Sequence, residues 1–179
     1  MKQRIVLRLL TQVDVNLLTV LKQSLLKVFN RPVESKLQIS QLGHAYAPQR
    51  NQYLAPLILS RLRDLCMKPG DRYLNIVDVD LYSPGLNYIF GEAEPNCGVA
   101  IISLYRLKPE HYGLPRNEWL LQERAIKEAV HELGHTYYLS HCPEAKCVMH
   151  LSNSLADTDK KEASFCPQCR QQLMEMEIS

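Results

Sequence analysis

His131-Glu132-Leu133-Gly134-His135-Thr136-Tyr137-Tyr138-Leu139-Ser140-His141-Cys142 is the stretch that decides how this chain folds and what it can do. Residues four apart on an α-helix differ by about 40° around the axis and about 6 Å along it. His131 and His135 therefore project from one face and can close on a single ion. Glu132 stands about 100° round from His131, a place suited to proton transfer beside the ion rather than to ligation. Were the helix to continue, His141 would lie about 9 Å further along the axis, so the chain has to turn sharply near Tyr138 to bring it back. Three neutral imidazoles leave an open fourth position, which is the pattern of a catalytic zinc.

The helix that carries this stretch starts at Asn117, a suitable N-cap, and meets no Gly or Pro until Gly134. Trp119, Ile126, Val130, Leu133 and Tyr137 give it one apolar stripe, which puts the chemistry on the opposite face. Downstream, Cys142-x4-Cys147 is followed after eighteen residues by Cys166-x2-Cys169. Two close thiol pairs at this spacing read as a closed structural zinc shell in preference to two disulfides. A redox role for Cys166-Pro167-Gln168-Cys169 is weaker, because no strand-to-helix context precedes it.

Upstream, Arg4 to Leu10 reads as a buried strand, and Val13 to Phe29 as a helix stopped by Asn30, Arg31 and Pro32. A half-buried strand is expected around Leu37 and Ile39, with Leu42 shortly after, and a second helix from Leu54 to Leu65 with Pro56 in its first turn. Two further strands are expected at Tyr73 to Leu81 and Gly98 to Leu107. The order β-α-β-α-β-β builds a sheet with helices packed on it. The last of these strands is the expected sheet edge for an added peptide strand.

At 179 residues, 46% apolar and 22% charged, the chain suits one globular domain with a small appendage. Net charge is +2 and the basic residues are scattered, which argues against a nucleic-acid partner. The apolar run Ile5 to Leu10 is broken by Arg8 and lacks a cleavage site, and nothing approaches the length of a membrane span. A cytoplasmic protein with no membrane partner is therefore expected, with its cysteines as thiols. His44, His111 and His150 read as surface or structural residues.

With both clusters quoted, the chain resembles the archaemetzincins, a metzincin branch with the signature H-E-x-x-H-x-x-G-x-x-H-C-x4-C-x-M followed by C-x-x-C. His131, Glu132, His135, His141, Cys142, Cys147, Met149, Cys166 and Cys169 fall on it. Val77 to Tyr82 and Phe90 to Ala93 also look familial. The resemblance implies an α+β, zincin/metzincin-like fold: a twisted mixed sheet, a backing helix, an active-site helix at about 117–138, and a small C-terminal zinc-binding subdomain. The division is then 1–141 and 142–179, the latter holding the four-cysteine site and a methionine turn supplied by Met149. The implied activity is that of a zinc-dependent metallopeptidase acting on a peptide or protein substrate, with two zinc ions, one catalytic and one structural, and Glu132 as general base. The rival is a non-catalytic zinc-binding interaction module with a vestigial three-histidine site.

The family pattern has a glycine where this chain has Tyr138. A sharp helix exit at positive φ costs a bulky residue on the order of 1 kcal/mol or more. Either Tyr138 bears that strain, or the turn is built differently and its phenol is a candidate cleft residue.

Overall fold

Strand β1 (Ile5–Leu9) is buried along its whole length, apolar except for Arg8, and the molecule is layered on either side of it. The computed structural model describes residues 3–38, 41–63 and 68–178. After β1 come α1 (Val15–Phe29), β2 (Val33–Leu37), β3 (Tyr46–Ala47), β4 (Gln52–Leu54), α2 (Ala55–Arg63), β5 (Arg72–Val77), β6 (Leu81–Tyr82), β7 (Gly91–Glu94) and β8 (Val99–Ser103). Helices α3 (Glu118–Thr136), α4 (Leu155–Lys160) and α5 (Pro167–Ile178) complete the chain. The main sheet has the order β2-β1-β5-β8-β7, parallel except for β7, which runs antiparallel to β8. A small second sheet has the order β3-β4-β6. This is the α+β class with a mixed sheet.

Side chains alternate across the sheet, so each strand feeds two cores. Ile5, Leu7, Leu9, Leu74, Ile76, Ala100 and Ile102 face α1 and α3, while Val6, Tyr73, Val77, Val99 and Ile101 face Ile58, Leu59 and Leu62 of α2. Arg8 does not break β1: its guanidinium lies 4.2 Å over the Tyr73 ring, and it is buried there. The first of these cores continues into the C-terminal region through Cys142, Cys147, Val148, Met149, Phe165, Cys169 and Leu173. Asp14 caps α1 by accepting from the amides of Asn16 and Leu17, and Asn30 ends it in the left-handed conformation.

Several expectations are corrected. The second strand lies at Val33–Leu37, earlier than the apolar pattern indicates, because it is a half-exposed edge whose last residue, Leu37, is 69% exposed. Ile39, Leu65 and Cys66 lie outside the described residues. Tyr73 to Leu81 is two strands, since Asp78 leaves the main sheet and takes the Thr11 hydroxyl as its amide partner before β6 pairs with β4. Gly98 to Leu107 is not the edge: β8 ends at Ser103 and is paired on both sides, by β5 and by β7. A continuous apolar run is what burial on both faces demands. The edge is β7, whose Gly-Glu-Ala-Glu sequence carries no apolar alternation.

Candidate metal centres

Helix α3 begins where Asn117 accepts from the Leu120 amide. Trp119 does not join its apolar stripe, being 67% exposed. From Arg124 to Gly134 the helix is buried on every side, because the segment after His141 covers the face that an amphipathic reading leaves to solvent. The covering is tight: a Cβ on Gly134 would fall 2.5 Å from the sulfur of Met149.

Tyr138 makes the turn. It takes φ 62°, with its amide donating to the His135 carbonyl and the Leu139 amide returning to Gly134. His141 is thereby carried back to the first two histidines, its ring centroid 5.4 Å from that of His131 and 4.9 Å from that of His135. Candidate ligand atoms of His131, His135 and His141 lie within 4.8 Å of one another.

Their tautomers follow from their partners. Nδ1 of His131 donates to the Val148 carbonyl at 2.8 Å, and Nδ1 of His135 to the Leu139 carbonyl at 2.7 Å. A carbonyl only accepts, so both protons sit on Nδ1 and both Nε2 atoms are bare. Yet the two Nε2 atoms stand 3.1 Å apart, lone pair toward lone pair. A cation between them resolves that contact, and tetrahedral zinc with Zn–N of 2.0–2.1 Å asks for about 3.4 Å between nitrogens. Burial, with a contribution from buried Lys161, pushes His131 well below the usual imidazole range, and burial also lowers His135 and His141. Neutral imidazoles are what a metal requires.

Glu132 is buried between the helix and β7, where a Cβ on Gly91 would meet its Cγ at 2.6 Å. Burial, then the nearby Glu128 carboxylate, push its pKa well above the usual range, with Lys161 acting against them. A cleft of about 470 Å³ opens onto Glu132, His131 and His141 from walls that include Phe90, Gly91 and Leu151.

Thiols of Cys142, Cys147, Cys166 and Cys169 form the second group, also within 4.8 Å of one another. The sulfurs of Cys142 and Cys166 are 3.8 Å apart, far beyond a disulfide bond. A tetrahedral shell with Zn–S near 2.3 Å puts sulfurs about 3.8 Å apart. Burial raises the Cys142 and Cys169 thiols, while hydrogen bonding from the Cys169 amide lowers Cys166. Met149 is fully buried beneath α3, its carbonyl accepting from the Cys142 amide. Nδ1 of His150 donates to the Cys142 carbonyl at 2.9 Å, and His44 and His111 lie outside both groups.

Sequence reasoning missed a third feature. Asp157 to Glu162 is polar in sequence, but Thr158 and Lys161 are fully buried against α3. Lys161 Nζ is 3.2 Å from Glu128, one turn before Glu132, and the Thr158 hydroxyl donates to the same carboxylate oxygen. The spacing of Glu128 from Glu132, four residues on the metal-facing side, is the one signal that could have pointed to it.

The model of peptidase family M54 matches residues 6–175. The archaemetzincin of Pyrococcus furiosus is 52% identical over 143 residues, 78% of this chain and 73% of that one. The archaemetzincin of Archaeoglobus fulgidus is 39% identical over 151 residues, covering 84% and 86%. Among solved structures, a zinc-dependent peptidase of Methanocorpusculum labreanum superimposes with a TM-score of 0.87 at 32% identity, covering 94% of this chain and 99% of that one. The archaemetzincin of Methanopyrus kandleri does so with a TM-score of 0.85 at 31% identity, covering 99% and 97%.

Proposed function

Because this chain belongs to peptidase family M54 and is a zinc metallopeptidase, we propose that His131, His135 and His141 hold its catalytic zinc and that Glu132 is its general base. The observation that carries the assignment is the pair of proton-free Nε2 atoms 3.1 Å apart, each fixed by a backbone acceptor on the other ring nitrogen. Zinc bound there supplies a Lewis acid that polarises the scissile carbonyl and acidifies water.

The protein's own groups do the rest. Glu132, dry and clamped by Gly91, takes a proton from the attacking water and passes it to the leaving amine. The outer edge of β7 offers main-chain groups to an extended peptide, which would lie as a sixth strand across the face of the histidines. Cys142, Cys147, Cys166 and Cys169 hold a second, structural zinc, making two ions per chain. Residues 142–179 then form a small subdomain organised by that ion, with Met149 as the floor under the histidine site. A non-catalytic module is not favoured, since such a site has no use for a buried carboxylate between two ligands.

We keep a cytoplasmic location and the absence of a nucleic-acid partner as part of this proposal, resting on reduced thiols and scattered basic residues. Among the described residues no helix is long and apolar enough to cross a membrane. The test is hydrolysis of a peptide mixture by zinc-loaded protein, abolished by removing the metal and restored by returning it. Zinc-loaded protein that cleaves nothing in a broad mixture would overturn the assignment.

A further inference from the structure

Tyr138 combines two features that packing does not account for. Its backbone is left-handed at φ 62°, and its side chain is 53% exposed, so the core gains little from the ring. The conformation is imposed from both sides: its own amide is tied to the His135 carbonyl, the Leu139 amide to Gly134, and the Leu139 carbonyl receives the His135 imidazole. A residue on such a turn has its Cα–Cβ direction set relative to His135 and His141. Strain at an exposed, well-determined residue beside a reactive centre is a pointer to function.

The surroundings say which function. On this flank of the histidines a cavity of about 470 Å³ is lined by Ala93, Pro95, Tyr138, Leu139 and Ser140 together with His135 and His141. Among the described residues no Lys, Arg, Asp or Glu lines it. A second cavity shares Tyr138 and Pro95 with the first and is lined also by Lys68, Asp71 and Arg72. Tyr138 thus borders both: a mainly apolar, uncharged cavity that includes the histidines, and a charged one. Ala93 and Pro95 belong to β7 and its continuation, so a peptide lying along that edge brings a side chain against the ring.

We propose that Tyr138 is a specificity-determining residue, which selects a substrate with an aromatic or large aliphatic side chain at the position that lies on the Pro95 flank of the histidine group. The proposal rests on the zinc-peptidase reading of those histidines. Ring-to-ring and ring-to-aliphatic contact supplies the preference, because an apolar side chain there leaves water and covers the exposed face of the phenol. The hydroxyl is not needed, so a phenylalanine serves equally.

The test uses zinc-loaded protein and matched peptide hydroxamates bearing either a benzyl or a methyl side chain, made in both orientations about the chelating group. Binding is read by calorimetry, so no turnover is required. The parent is expected to bind the benzyl compound about tenfold more tightly than the methyl one in one orientation only. Tyr138→Gly and Tyr138→Ala should bring that ratio close to one, and Tyr138→Phe should preserve it. Any effect of the turn on the metal itself moves both compounds together and leaves the ratio alone. A parent without preference in either orientation, or a preference that survives in Tyr138→Gly, overturns the proposal. A zinc-loaded parent that binds neither hydroxamate refutes the metal-site reading beneath it, and is distinguished from both by the absence of any heat.

Discussion

Gly91 on β7 and Glu132 on α3 approach so closely that a Cβ on Gly91 would fall 2.6 Å from Cγ and 2.8 Å from Oε1 of the carboxylate. Gly91 is not at positive φ, so space rather than backbone freedom is what the absent side chain provides. Gly91→Ala should displace the carboxylate and lower kcat by about 10²-fold, the scale of an ångström's misplacement of a catalytic group. Zinc content should not change. Steady-state kinetics with metal analysis of the same sample checks this, and full activity in the variant contradicts it.

On the proposed assignment of Glu132 to proton transfer and not to ligation, Glu132→Ala should reduce peptide hydrolysis by about 10²-fold or more while the zinc stays bound. Loss of the histidine-site zinc in this variant would make Glu132 a ligand and the mechanism wrong.

Metal analysis should find two zinc ions of unequal lability. Chelation should strip the histidine site first, since His141, its proposed third ligand, is exposed, while Cys142, Cys147 and Cys169 are buried. Cys166→Ser should lower the zinc count by one; a parent holding a single ion, with the variant holding the same, would refute the second site.

Tyr138→Gly should stabilise the fold by about 1 kcal/mol, because glycine adopts the left-handed turn without the Cβ clash, and should tighten zinc at the histidines. Tyr138→Phe should match the parent in both. Chelator competition and thermal unfolding read the two quantities, and unchanged stability in the glycine variant would deny that the turn is strained.

Asp71 gives a pH signature. Burial alone would raise its pKa, but hydrogen bonds from the Arg4 side chain and amide outweigh burial and hold it below the ordinary value. A folded-state pKa below the unfolded one means stability that is present above about pH 3.9 and lost as pH falls through the lower value. Asp71→Asn should therefore be less stable than the parent at neutral pH, and the gap should close in acid. Denaturant midpoints at the two ends of that range measure it; a gap independent of pH would exclude the carboxylate as the cause.

What was legible in the sequence was what depends on local geometry. The spacing of His131, His135 and His141, the cap at Asn117 and the turn at Tyr138 are all consequences of helix rise and backbone sterics, and they can be read from one stretch of chain. What was not legible depends on which segments come together. Nothing in Gly91-Glu92-Ala93-Glu94 marks an edge strand, because an edge needs no apolar alternation and its partner β8 supplies the order. Trp119 was given to the core for its size, though it sits in the exposed first turn of α3. Lys161 stands in a polar run, and only the remote Glu128 explains its burial.

His131 owes its orientation to the carbonyl of Val148, and the Val148 amide is itself anchored to the carbonyl of Ser164. In time, this means the histidines are present on the nascent chain well before they are a site. The main sheet and α3 precede Ser164 in order of synthesis, so they can assemble while the imidazole of His131 still lacks the anchored carbonyl that orients it. The acceptor of His131 is then set late, when Ser164 and the second cysteine pair have emerged, and a chain cut short of Ser164 would carry His131, Glu132, His135 and His141 without the anchor that orients the first of them.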